Sequence, residues 1–78
     1  MAFAAPPLRV RLSRPDLADE LAEALAAGDC FCVPVDGDTV LVLHRAAADE
    51  AEARIELAFF LRAWQGRHAG VRAELVER

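Results

Sequence analysis

Two strand-like runs separated by an Asp-Gly turn constrain the fold of this chain more than any other feature. Residues 30–35 (CFCVPV) and 39–44 (TVLVLH) are rich in apolar and β-branched side chains, and the short segment DGD separates them. Such an arrangement predicts a β-hairpin. Pro34 in the first run cannot donate a hydrogen bond to a neighbouring strand, so we expect that run at an edge of the sheet. The second run is apolar on both faces, which favours a central position.

Two further strands and two helices are predicted by the periodicity of the remaining sequence. Residues 8–12 (LRVRL) alternate strictly between apolar and charged side chains, and residues 71–76 (VRAELV) alternate in a similar way. Strict alternation is typical of a strand with one buried face. Between the strands, apolar residues recur at helical spacing. The predicted apolar stripes are Leu17, Leu21, Ala24 and Leu25 in the first helix, and Ala53, Leu57, Phe60, Leu61 and Trp64 in the second.

The ends of both helices are marked by residues with known terminal preferences. We expect Ser13 to cap the first helix through its hydroxyl, and Gly28 to end it in a left-handed conformation. At the second helix, Asp49 and Glu52 resemble a capping box, and Gly66 marks the end. The predicted order of elements is therefore strand, helix, strand, strand, helix, strand.

This order of elements predicts the fold. Right-handed crossovers and one apolar stripe per helix favour an α+β ferredoxin-like βαββαβ two-layer sandwich, in which a four-stranded antiparallel sheet carries two helices on one face. Its strand order would be 4-1-3-2. We expect residues 1–7 to form an N-terminal tail and residues 8–78 a single ferredoxin-like domain, since 78 residues allow only one domain. The element order is similar, at fold level only, to small regulatory domains such as ACT-like domains, and no binding residue carries over from that resemblance.

The composition excludes several classes of function. The formal net charge is −4, and all nine basic residues are Arg. A general nucleic-acid binder needs a basic surface, so we expect no nucleic-acid partner. No apolar run approaches the ~18 residues of a membrane span, so we expect no membrane partner. The segment before residue 8 is short and lacks the basic start of a secretory signal, which predicts a cytoplasmic protein.

Two cysteines and a histidine form the first candidate site. Cys30 and Cys32 lie on one side of the predicted edge strand, and His44 ends the next strand; two thiols and an imidazole suit a soft metal. A three-residue turn would place His44 opposite Cys30, whereas a two-residue turn would place it opposite Asp29. Because a fourth ligand is missing and cysteine is commonly buried, we expect structural cysteines and no resident metal or cofactor. The alternative is a thiol-based metal or redox site at these residues.

The sheet face opposite the helices is the second candidate site. We expect this face to carry Arg9, Arg11, Cys30, Cys32, Arg72 and Glu74, with either Val40 and Val42 or Leu41 and Leu43. Arg9, Arg11 and Arg72 could together bind a small anion or an acidic partner segment. We expect instead a solvated face on which Glu74 pairs with these arginines, and anion binding is the alternative.

The second helix leaves two large apolar residues without a place in the core. Ile55 and Phe59 lie nearly opposite its apolar stripe. In a small domain such a patch favours self-association, so Ile55 and Phe59 are the predicted interface of a homodimer, with contact through the free face of the sheet as the alternative. The chain has one Ser and none of the common nucleophile, phosphate-binding or zinc motifs, which predicts no catalytic residue and no enzymatic activity. We therefore expect a small non-enzymatic regulatory or protein-interaction module with a protein partner.

Overall fold

The computed structural model describes residues 6–76 and contains the predicted succession of strands and helices. The strands are β1 (Leu8–Leu12), β2 (Cys30–Pro34), β3 (Thr39–His44) and β4 (Ala73–Leu75), and the α-helices are α1 (Ala18–Ala27) and α2 (Glu50–Gly66). A short 3-10 helix over Pro15–Leu17 precedes α1, and β4 is shorter than the predicted run of residues 71–76. Residues 1–5 of the predicted tail and residues 77–78 of the predicted domain lie outside the described residues.

The four strands form one antiparallel sheet in the order β2-β3-β1-β4, which confirms the predicted strand order. β2 lies at an edge, as Pro34 requires, and β3 lies between β2 and β1. The hairpin turn holds three residues, because the backbone N–H of Val35 donates to the carbonyl of Thr39 at 2.9 Å. Of the two turn lengths considered, this is the one that places His44 opposite Cys30.

Both helices pack on one face of the sheet, which we call the core face, and share a single hydrophobic core with it. The largest side chains with almost no exposure are Trp64, Leu12, Leu21, Leu25, Leu57, Val10 and Val42. Trp64 also stacks on the ring of His68, with ring centroids 4.2 Å apart. The α+β two-layer sandwich is therefore confirmed. The opposite side of the sheet, which we call the open face, is covered by neither helix.

α2 begins as predicted. The carboxylate of Asp49 accepts a hydrogen bond from the backbone N–H of Glu52 at 2.9 Å, and the carboxylate of Glu52 accepts one from the N–H of Ala48 at 2.6 Å. The first bond satisfies an N–H that has no partner within the helix. This pair of bonds holds the start of α2 against the segment that leads from β3, and the helix ends at Gly66.

Of the two predicted ends of the first helix, the start is wrong, and the end lies at Gly28 as expected but without a left-handed glycine. The hydroxyl of Ser13 accepts a hydrogen bond from the backbone N–H of Arg72 at 2.8 Å, and the N–H of Ser13 donates to the carbonyl of Arg72 at 2.8 Å. Ser13 therefore joins the end of β1 to the approach of β4 instead of capping a helix. Gly28 has a φ of −101°, and Asp29, with a φ of 70°, is the left-handed residue. Aspartate tolerates this conformation better than most residues.

Candidate functional sites

The side chains of β2 alternate between the two faces of the sheet, and the hairpin register decides which residue lies on which face. Cys30 lies opposite His44 on the core face, and Cys32 shares that face. Phe31 and Val33 therefore lie on the open face. The prediction that the cysteines share a face with the arginines is wrong. Because the CFCV run is apolar at every position, its pattern alone favours neither arrangement.

His44 is a buried polar group on the core face. Its Nδ1 accepts a hydrogen bond from the backbone N–H of Ala46 at 3.3 Å, and its Nε2 lies 2.6 Å from Oε1 of Glu56. Because Nδ1 accepts, the ring carries hydrogen on Nε2 and donates it to the carboxylate. A hydrogen bond to an ionised acceptor is stronger than one between neutral groups. Both ring nitrogens are thus engaged by protein groups, and neither is free to take a proton from a thiol.

Glu56 is a residue that the sequence analysis missed. It lies on α2 beside the buried stripe, and its side chain is about half exposed. His44 was the one indication in the sequence that such a residue exists, because a polar ring in an otherwise apolar strand needs a hydrogen-bond partner when it is buried. Nothing in the sequence pattern indicated which side chain would supply that partner.

The thiols lie in an environment that keeps them protonated. A cavity of about 160 Å³ at the seam between helices and sheet is lined in part by Cys30, His44 and Glu56. Burial raises the pKa of the Cys30 thiol, and the negative charges of Asp29 and Glu56 raise it further. Burial also raises the pKa of the Cys32 thiol. Since the thiolate is the nucleophile and the metal ligand, these thiols are poorly suited to either role at neutral pH.

The candidate metal site can be judged from the same geometry. Within residues 6–76, no group of three or more His, Cys, Asp or Glu side chains is arranged to hold a metal ion. Both cysteines are free thiols. A metal at Cys30, Cys32 and His44 would have to deprotonate the thiols and displace a hydrogen bond of the imidazole. The thiol-based hypothesis stays a prediction that this arrangement does not favour.

The three candidate anion-binding arginines lie at the open face, and one of them is paired. Arg9 and Arg11 belong to β1, and Arg11 lies opposite Glu74 of β4. Arg72, just before β4, forms an ion pair with Glu74 at 3.6 Å. Both partners of that pair are largely exposed, so water and salt screen it. Neither Arg9 nor Arg11 forms an ion pair with residues 6–76, which leaves these two available to an acidic ligand.

Beside the arginines, the open face carries apolar side chains from β2 and β3. Phe31 lies opposite Leu43, and Val33 lies opposite Leu41. Phe31 is 57% exposed and Val33 is 45% exposed, whereas Leu41 and Leu43 are half-buried. We call these four residues the apolar strip. Phe31 and Val33 were not expected on this face, since the other alternating set of β2 was assigned to it.

Two large apolar residues of α2 point away from the core, as predicted. Ile55 is 59% exposed and Phe59 is 70% exposed. Together with Ala58 and Arg62 they line a shallow depression of about 250 Å³. We call Ile55 and Phe59 the helix patch. Their exposure confirms the helical periodicity, while their role as an interface stays a prediction.

Comparison with known proteins does not extend this description, because no family model, curated protein or solved structure matches the chain. No helix within the described residues is long and apolar enough to cross a membrane. Three surface features stand out among the described residues: the helix patch, the apolar strip and the arginines beside it.

Proposed function

We propose that this chain is a small non-enzymatic protein-interaction module that acts as a homodimer formed through the helix patch. The observation that carries the proposal is the exposure of Ile55 and Phe59, one helical turn apart on the outer side of α2. Large apolar side chains lose a favourable burial energy when they face water. Two such side chains side by side on a small domain support a contact surface.

The residues around the patch suit a second copy of the same helix. Glu52, Ile55, Phe59 and Arg62 follow one another at intervals of three or four residues, so they share one side of α2. In an antiparallel pair of α2 helices about a two-fold axis, Ile55 of each copy would face Phe59 of the other. Glu52 of each copy would then lie near Arg62 of the other. The surface is therefore self-complementary in both apolar character and charge.

The chemistry of the core supports a non-enzymatic role. The two thiols have raised pKa values, and both nitrogens of His44 are held by Ala46 and Glu56. A general base needs a free nitrogen within reach of the proton that it removes. The polar groups of this region thus serve to satisfy one another within the core.

Sedimentation equilibrium tests the proposal. We expect the wild-type chain to form a reversible dimer at micromolar concentration, because a single helix pair buries less than the ~800 Å² per partner of a standard interface. Phe59→Asp should give a folded monomer, since the side chain is 70% exposed in one copy. Arg62→Glu should weaken the dimer, because it places a second carboxylate near Glu52.

Phe31→Asp is the matched control, because it makes the same change at a 57% exposed position on the other surface. This variant should remain a dimer. A wild-type chain that is monomeric at high micromolar concentration would contradict the proposal. So would a dimer that Phe31→Asp dissociates and Phe59→Asp leaves intact.

A further inference from the structure

The open face presents a second exposed apolar surface, on the opposite side of the molecule from the helices. The apolar strip is contiguous, because its members are direct cross-strand neighbours: Phe31 with Leu43, and Val33 with Leu41. Side chains that pair across antiparallel strands have Cβ atoms about 5 Å apart, so they form one surface. A homodimer through α2 would leave this surface exposed in both copies.

Two cations lie along one side of the strip. Arg9 is the cross-strand partner of Leu41 on the β1 side of the strip. Arg11, the partner of Thr39, lies on the same side as a diagonal neighbour of Leu41, within reach of a long side chain. On its other side is the edge of the sheet at β2. Glu74, beyond Arg11, pairs with Arg72. A ligand that covers the strip therefore meets two cations along one of its long sides.

The dimensions of the strip fit one α-helix. Two adjacent strands span about 10 Å, which is close to the 10–12 Å diameter of a helix with its side chains. Phe31 and Val33 are two residues apart, so the strip extends over about 7 Å of backbone, a length that two helical residues one turn (about 5.4 Å) apart can cover. The opposite face of the same sheet already packs two helices in this manner.

A second copy of the chain fits this surface less well. If two open faces stacked about a two-fold axis along the strip, β1 of each copy would extend past the edge strand β2 of the other. Arg9 and Arg11 would then lie beyond the contact, with no carboxylate opposite them. An amphipathic helix with acidic residues along one side of its apolar stripe would complement both the strip and the arginines.

We propose that the open face binds an acidic amphipathic helix of another protein. The apolar stripe of that helix packs on Phe31, Val33, Leu41 and Leu43, and its Asp or Glu residues form ion pairs with Arg9 and Arg11. This goes beyond the homodimer and is independent of it, since the two contacts use opposite sides of the molecule. It assigns the chain a partner by chemistry: a helical segment with leucine-like anchors and a negative flank.

A displayed peptide library tests the proposal. Each member is a helix of about 14 residues, long enough to cover the strip, with a fixed leucine stripe and either Glu or Lys at the positions on one flank. We expect the wild-type protein to enrich members with Glu on that flank. A synthetic peptide from the enriched pool should then bind in solution, and its binding should weaken as salt is raised.

Variants of the protein locate the binding surface. Phe31→Ser and Arg11→Glu should each lower the affinity for the selected acidic peptide by roughly tenfold or more, as expected when a central contact is lost. The double variant R9E/R11E should prefer the matched peptide with Lys on its flank. Phe59→Ser, on the helix patch, should bind as the wild type does. Val33→Ser serves as a second variant of the strip if Phe31→Ser folds poorly by circular dichroism.

Several outcomes would overturn the proposal. Equal enrichment of Glu and Lys, no binder at all, or binding that survives both Phe31→Ser and Val33→Ser would each exclude it. So would dissociation of the dimer by Phe31→Ser in sedimentation, because the open face would then be the contact between copies. Binding to vesicles of phosphatidylglycerol in place of any peptide would show that the arginines and the strip meet a lipid surface.

Discussion

The two faces of the sheet are built from the same strands but have opposite properties. On the core face, Val10 and Leu12 are almost fully buried under the helices. All buried polar side-chain atoms within residues 6–76 have a hydrogen-bond partner. On the open face, Phe31 and Val33 are about half exposed, and Arg9 has no ion-pair partner in the described chain. The buried apolar contacts that stabilise the fold thus lie on the core face, and the open face contributes fewer of them.

The largest difference between the faces should appear when a leucine is shortened on each. Leu12→Ala on the core face should lower the free energy of unfolding by roughly 2–5 kcal/mol, through lost burial and the cavity left behind. Leu43→Ala on the open face should cost less than half as much, because its side chain is only half-buried. Urea unfolding followed by the fluorescence of Trp64, which is 1% exposed, measures both. Equal losses would mean that the open face is covered.

A smaller difference in the free energy of unfolding is expected between variants that remove one of two carboxylates, Glu56 or Glu74. Glu56→Ala should lower the free energy of unfolding by roughly 1–3 kcal/mol, because it leaves the buried Nε2–H of His44 without an acceptor. Glu74→Ala, which removes an exposed ion pair with Arg72, should change it by less than about 0.5 kcal/mol.

A double variant separates the lost hydrogen bond from the lost carboxylate. His44→Leu combined with Glu56→Ala removes both partners, so it should recover part of the stability lost in Glu56→Ala alone. Failure of the double variant to recover any stability would indicate that Glu56 acts through other contacts. The same urea transitions measure all of these variants.

The smallest expected effect concerns the thiols of the core face. The pKa values of Cys30 and Cys32 are raised above the ordinary value of 9.0. A raised pKa in the folded state contributes stability that is present below the ordinary pKa and is lost as the pH rises through the folded-state value. The free energy of unfolding should therefore decline above about pH 9, and less so in the Cys30→Ala variant.

Alkylation with iodoacetamide across pH checks the thiols directly. Cys30→Ala and Cys32→Ala each retain one thiol. For each folded variant, the pH at the midpoint of the alkylation-rate profile should be higher than for the same variant unfolded in urea. A midpoint at or below the urea value would show that the folded protein stabilises the thiolate. That result would support a thiol-based metal or redox site at Cys30, Cys32 and His44.

The order of elements was predictable because alternation and helical spacing are properties of the local sequence. The strict alternation of residues 8–12 shows which side is buried, since its other positions are charged. β2 offered no such contrast, because Cys, Phe and Val can all be buried, and the assignment of its faces was wrong. The fate of Ser13 was also not predictable, since its hydroxyl bonds a backbone N–H 59 residues away. The pairing of His44 with Glu56 likewise depends on how α2 lies across the sheet.

The two edge strands of the sheet, β2 and β4, limit how copies of this protein can associate through backbone hydrogen bonds. β4 has three residues, and β2 ends at Pro34, whose nitrogen carries no hydrogen. A strand from a neighbouring molecule that aligned with either edge strand would form only a short ladder. Neighbouring molecules are therefore poorly able to pair edge to edge and form one continuous sheet. Contacts between molecules depend instead on the side chains on the two faces of the sheet. Single substitutions there can change which molecules associate.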